Sequence, residues 1–204
     1  MVDADARQAK RNAILSSALE VFVDHGFVGT TTDRLAAAAS ISKQTLYREF
    51  GDKEGVFAAL IEFACDQVYD PFAPLVDELR TVGSAERAVD MMAEQFARSI
   101  ISPRIQQLRR LVIAEAVRFP DLGKTYWENG FLRVLNSVAD CLEVLDERGL
   151  LQVPEPRLAA EHFAGILLWI PSNQAMFDVS SPIDEDRLTE SIADGARAFL
   201  RAYS

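Results

Sequence analysis

Residues 30–50, TTTDRLAAAASISKQTLYREF, read as two short helices joined by a tight connection at Ser40 and Ile41. Thr30 and Thr31 suit the N-cap position ahead of a helix over 33–39, and Ser42 suits the cap of a second helix running to about Phe50. Their hydroxyls accept from backbone amides that a helix's first turn leaves unpaired. Leu35, Ala36 and Ala39 give the first helix a face of small apolar residues that permits close approach, while Leu46 and Phe50 form the buried side of the second. At about 100° per residue, Gln44 and Arg48 fall opposite that side, with Thr45 and Tyr47 on its flanks. This is helix-turn-helix spacing, which an ordinary helical hairpin with solvated Lys and Arg shares.

Outward from this stretch the chain keeps a helical period. Leu15, Ala18, Leu19, Phe22 and Val23 make one apolar stripe on a first helix, and Gly26 suits a left-handed residue at its end. Asp52 suits the cap of a fourth helix from Lys53 to roughly Tyr69; Pro71 and Pro74 then break the pattern. Longer helices are expected over about 85–101, 104–119, 121–148, 156–178 and 184–203, with proline or glycine at most junctions. No run alternates with the period of a strand. The predicted fold is therefore all-α: an N-terminal three-helix helix-turn-helix domain over 1–52 and a larger C-terminal helical bundle over 53–204.

The composition of the 204 residues, 49% hydrophobic and 25% charged, is that of an ordinary globular chain and excludes collagen-like and low-complexity classes. The longest strongly apolar run, Phe163 to Ile170, falls short of the roughly 18 residues a membrane helix needs. The early charges Asp3, Asp5, Arg7, Lys10 and Arg11 leave no apolar signal core, so a cytoplasmic location and no membrane partner are expected. Cys65 and Cys141, far apart and each in an apolar pattern, read as reduced core residues. A net charge of −10 argues against nonspecific nucleic-acid binding, but the acidity is segregated: residues 1–55 hold 7 Lys/Arg against 8 Asp/Glu, the rest 14 against 23.

If the second short helix enters the major groove, Gln44 suits a two-pronged bond to adenine, and Lys43 or Arg48 suits guanine acceptors. Thr31, Ser42, Thr45 and Tyr47 suit phosphate oxygens, and Lys53 stands at a helix start that already favours phosphate. Arg7, Lys10 and Arg11 form either a basic arm or a solvated, frayed terminus. Met92, Phe96, Trp127, Phe131 and Trp169 are candidates for lining an apolar ligand pocket, and each also fits plain core. Glu115 sits on an otherwise apolar face and calls for a structural ion pair with Arg118, Arg109 or Arg110. His25 and His162 have no neighbours at metal-ligand spacing, and no nucleophile-and-base pair or phosphate-cradling glycine loop is present in the sequence. No metal, no cofactor and no catalysis are expected.

Gly26-Phe27, Thr30-Thr31, Leu35-Ala36, Ser42, Leu46-Tyr47, Phe50 and Lys53 stand at spacings that resemble the tetracycline-repressor (TetR) family of bacterial regulators, from about Asn12 to Phe57. Ser40 departs from a turn position usually held by glycine, and Glu49 from one often held by histidine. Residues 109–130, RRLVIAEAVRFPDLGKTYWENG, resemble the AefR-type subclass of that family's C-terminal domains. The resemblance implies a sequence-specific, DNA-binding regulator. It further implies a homodimer on a near-palindromic operator, with Phe163, Leu167, Ile192, Ala196 and Phe199 of the last two helices in the dimer interface. A small apolar or amphipathic effector in the C-terminal bundle would release it. The alternative within the family is an activator, or a repressor without a small-molecule effector; the reading from a different class is a cytosolic helical ligand-binding protein that does not bind DNA.

Overall fold

The computed structural model describes residues 2–67, 72–180 and 183–204. These fall into two compact units: Met1–Val68 with Gln107–Gly130, and Tyr69–Gln106 with Phe131–Ser204. The units do not coincide with the expected division after residue 52. The fourth helix, α4 (Lys53–Gln67), buries Val56, Phe57, Leu60 and Ile61 in the first unit's core, which places it there. Its expected end at Tyr69 and the break at Pro71 lie outside the described residues.

In the first unit, α1 (Val2–Gly29) presents Leu15, Ala18, Leu19 and Phe22 to the core as one stripe. Gly26, at φ 65° and ψ 173°, kinks the helix, a backbone state that a side chain disfavours. The kink turns Phe27 inward, where it stacks on Phe22 with centroids 5.9 Å apart. Thr30, expected as a cap for the next helix, points backward instead: its buried hydroxyl donates to the Gly26 carbonyl at 2.7 Å. The cap of α2 (Thr32–Ala38) is Thr31, whose hydroxyl accepts from the Arg34 amide.

The turn after α2 closes with two backbone bonds, Ile41 N–H to Ala36 O and Ser40 N–H to Ala37 O, both at 3.0 Å. This pattern requires a left-handed residue, and Ser40 supplies it at φ 52°. Ser42 caps α3 (Lys43–Phe50) by accepting from Thr45 N–H, and Asp52 caps α4 by accepting from Gly55 N–H at 2.7 Å. Gly55 is obligatory for packing: a Cβ there would stand 1.9 Å from the Phe50 carbonyl oxygen.

Two further helices complete this core, α7 (Pro103–Glu115) with Leu108, Leu111 and Val112, and α8 (Pro120–Tyr126). Phe119, between them, sets its ring edge on Phe27 at 4.8 Å and lies 5.8 Å from Phe57. Arg118 covers the Phe27 ring at 4.8 Å and lies 3.9 Å from a Glu54 oxygen, so it is Glu54 rather than the expected Glu115 that it approaches.

The second unit contains α5 (Ala73–Leu79), α6 (Ala85–Ile101), α9 (Leu132–Glu147), α10 (Pro156–Phe177) and α11 (Glu185–Tyr203). The bounds of α6 agree with the expected ones, because Ser84 caps it and Val89, Met92 and Phe96 repeat on its buried face. One helix was expected over 121–148; five residues in π conformation, Trp127–Phe131, separate α8 from α9 there. The short α5 was not expected at all. Its last carbonyl and that of Val82 accept from the two Arg148 amino groups, at 2.5 and 2.7 Å. Cys65 and Cys141 are buried and form no disulfide. Among the described residues no strand forms, and no helix is long and apolar enough to cross a membrane.

Candidate nucleic-acid interface

The two capped helices and their left-handed turn fix α3 with Leu46 fully buried beneath it. That anchor leaves Ser42, Lys43, Gln44, Tyr47 and Arg48 exposed, with Thr45 half-buried beside them and Thr31 exposed at the start of α2. The face is built of hydrogen-bonding groups with one aromatic ring, and its members are held by local contacts. The Ser42 and Thr45 hydroxyls are 2.9 Å apart, the Tyr47 hydroxyl stands 3.5 Å from Thr32 Oγ1, and Lys43 Nζ reaches Asp33 Oδ1 at 2.7 Å. The side-chain hydrogen bond to Asp33 lifts the Lys43 ammonium above its ordinary value. Gln44 carries two donors and an acceptor on this face, enough to mark a base edge by a two-pronged contact.

Lys53, expected to suit a phosphate, is engaged within its own unit. Its ammonium donates to the Phe27 carbonyl at 2.9 Å and the Thr30 carbonyl at 3.0 Å, and lies 4.4 Å from the Phe27 ring centroid. It thereby seals carbonyls at the end of α1. Arg7 and Arg11 belong to α1 itself and not to a frayed terminus. Arg11 covers the Phe50 ring at 4.6 Å, and Arg7 approaches Glu49 at 3.4 Å. Burial works to raise the Glu49 carboxyl, but hydrogen bonds from Arg48 and Arg7 outweigh it and hold the group below the usual carboxylate value. The sequence reading passed over Asp33 and Glu49 as partners; the available signal was an acid near each of the cations Lys43 and Arg48.

The residues expected to line a ligand pocket differ in burial. Met92 and Phe96 are buried in the second unit's core, with Phe96 5.8 Å from Phe163, whereas Trp169 is 69% exposed on α10. Trp127 belongs to the first unit and is half exposed; Phe131 belongs to the second. A crevice in the first unit, lined by Phe57, Ile61, Val112, Glu115, Phe119 and Leu122, is too tight for even a water molecule.

The residues expected in a dimer interface are mostly enclosed by the chain's own helices. Phe163, Leu167, Ala196 and Phe199 are at most 1% exposed within the single chain, where α10 and α11 pack on each other and on α6. Ile192 alone of the five is half-buried. The exposed large apolar residues of α10 are Leu158, Ile166, Trp169, Ile170 and Phe177.

Residues 14–60 match the model of the bacterial regulatory proteins of the tetR family, and residues 83–204 match the AefR-like transcriptional repressor C-terminal domain. The chain is similar to a solved TetR-family transcriptional regulator from Mesorhizobium loti, at 36% identity and a TM-score of 0.90, covering 97% of this chain and 98% of that one. It is also similar to the solved flavonoid-responsive regulator FrrA, at 25% identity and a TM-score of 0.71, covering 97% and 98%. With the HTH-type transcriptional regulator RutR of Escherichia coli it shares 38% identity over 77 residues. That match spans 34% of this chain and only 36% of RutR. A capped, left-handed turn that presents a polar helix face, and a C-terminal half that matches a repressor domain along its length, thus converge on one conclusion: the chain belongs to the tetR family of bacterial DNA-binding transcriptional regulators, with a C-terminal domain of the AefR-like repressor type.

Proposed function

We propose that the chain is a homodimeric repressor that reads a near-palindromic operator with the exposed face of α3 and leaves it when a small apolar or amphipathic effector binds. The observation that carries this reading is the one-sided character of α3: Leu46 is wholly buried while Gln44, Tyr47 and Arg48 stand exposed. Gln44 reads a base edge, Lys43 and Arg48 supply guanine or phosphate contacts, and Thr31, Ser42, Thr45 and Tyr47 fix the register on phosphates. Lys53 is left out of the contact set, because both helix-end carbonyls hold it.

The apolar stripe Ile166, Trp169 and Ile170 supports a second copy of the chain as partner. A twofold dimer sets its two α3 helices about 34 Å apart, one DNA turn, which is why the operator is near-palindromic. Effector release follows only if the ligand binds better to a state in which that spacing is wrong. FrrA, by its name, responds to flavonoids, which supports an apolar, aromatic ligand here.

Selection from random duplex DNA followed by a mobility shift at two salt concentrations tests the reading. One sequence should be enriched, with a shift that weakens steeply as salt rises and survives nonspecific competitor. Gln44→Ala should reduce affinity for that sequence by about 1–3 kcal/mol, relax its preference at one base position, and leave the melting temperature unchanged. Enrichment of no sequence would favour a ligand-binding protein without DNA recognition.

A further inference from the structure

Both cations of α3 rest on carboxylates of their own unit. Lys43 Nζ is 2.7 Å from Asp33 Oδ1 on α2, and Arg48 approaches Glu49 Oε1 with Nε at 3.3 Å and an amino nitrogen at 3.2 Å. The other Glu49 oxygen receives Arg7 of α1 at 3.4 Å, and Arg11 donates to the Glu49 carbonyl at 3.3 Å. The Glu49 side chain is 16% exposed beneath Arg7 and Arg48, which are 78% and 66% exposed. The carboxylate is thus tucked under the two cations it holds. Exposed pairs of this kind contribute little to stability. Their placement is the informative part, because they occupy the side chains that stand closest to the reading face.

We infer that Asp33 and Glu49 are specificity latches, which hold Lys43, Arg48 and Arg7 on protein carboxylates until a cognate base sequence draws them away. The inference rests on the reading of α3 as the DNA-reading helix. Nonspecific binding derives almost wholly from Lys and Arg that neutralise phosphates and release counterions. A latched cation contributes nothing to that term until its carboxylate is displaced, and the carboxylate itself repels phosphate. A cognate site adds directional hydrogen bonds at base edges, and these offset the exchange of partners. The latch therefore weakens binding to arbitrary DNA more than binding to the operator, and specificity is that difference. The near-neutral balance of residues 1–55 acts in the same direction.

The test uses the full chain, a mixed-sequence duplex and the sequence that the chain enriches from random DNA, with affinities measured by fluorescence anisotropy over a salt series. Asp33→Asn and Glu49→Gln keep the side-chain shapes and remove the charge. The log–log salt slope on mixed-sequence DNA should steepen by about 1 for Asp33→Asn and about 2 for Glu49→Gln, with affinity at low salt rising about 3- to 10-fold in each. Affinity for the enriched sequence should change less, so the preference falls. Glu20→Gln removes an equal charge from an exposed site on α1 outside these pairs and should leave the slope as it was. In a Lys43→Gln background, Asp33→Asn should no longer steepen the slope, because the coupled partner is gone. Unchanged slopes in variants that melt like the wild type would overturn the latch while leaving α3 as the reading helix. An equal effect from Glu20→Gln, or a steepening that survives Lys43→Gln, would overturn it too. Should the wild type enrich no sequence, the DNA-reading assignment fails first and the latch with it.

Discussion

Ser40 shows how far a single residue can be read from type and position. Its place between two capped helices demands a left-handed backbone, and the structure gives φ 52°, the one positive value outside glycine among the described residues. Ser40→Gly should therefore raise stability by roughly 0.5–1 kcal/mol, the steric relief being partly offset by the freer unfolded chain, and chemical denaturation would measure it. Lys53 shows where such reading stops. A cation at a helix start favours phosphate by type; two carbonyls and a ring also converge on it, and sequence spacing carries no trace of that convergence. Tyr126 is a third case, silent in the sequence. Burial pushes its hydroxyl up to about 12, so the folded chain keeps the proton that the unfolded chain releases near pH 10. Its contribution to stability is whole below pH 10 and is lost as pH rises towards 12. In Tyr126→Phe, melting temperatures between pH 9 and 12 should fall less steeply than in the wild type.

At the level of elements, the helices most legible were those whose caps and stripes agree. Ser84 with Val89, Met92 and Phe96 defines α6, and Asp184, whose side chain accepts from Arg187 N–H, does the same for α11. The seven residues of α5 escaped notice because Pro74 breaks a helix by type but is also at home in a first turn. The π turn at Trp127–Phe131 escaped because its residues keep a helical pattern and differ only in hydrogen-bond register. The α3–α4 junction is tight enough to predict from: Gly55→Ala would drive a Cβ into the Phe50 carbonyl. The expected loss is about 3 kcal/mol or more, since backbone cannot yield as a side chain does, and it should appear as a lowered midpoint in urea.

For the whole molecule, helical class and the exposed polar face of α3 followed from period and capping, whereas the partner of each apolar stripe did not. Phe163, Leu167, Ala196 and Phe199 satisfy the pattern of an interface and the pattern of a core equally well. Only their enclosure by the chain's own helices separates the two. The exposed Trp169 is the sharper probe. Trp169→Glu should leave the fold intact, shift the chain from dimer to monomer in sedimentation, and weaken operator binding, because two linked half-sites become one. A dimer that persists would move the proposed interface off α10.

The first compact unit is discontinuous in the chain, and this bears on how the protein is made. Phe27 and Phe57 acquire their Phe119 neighbour, and Val56 to Ile61 their companions Leu111 and Val112, only after residues 69–106 of the other unit have been inserted between. At about 5–20 residues per second on the ribosome, a nascent chain waits several seconds between emergence of its α3 helix and arrival of the last segment of that core. During this interval α3 is attached to an unfinished hydrophobic surface, and completion of the unit that carries it is set by translation of a segment remote from it.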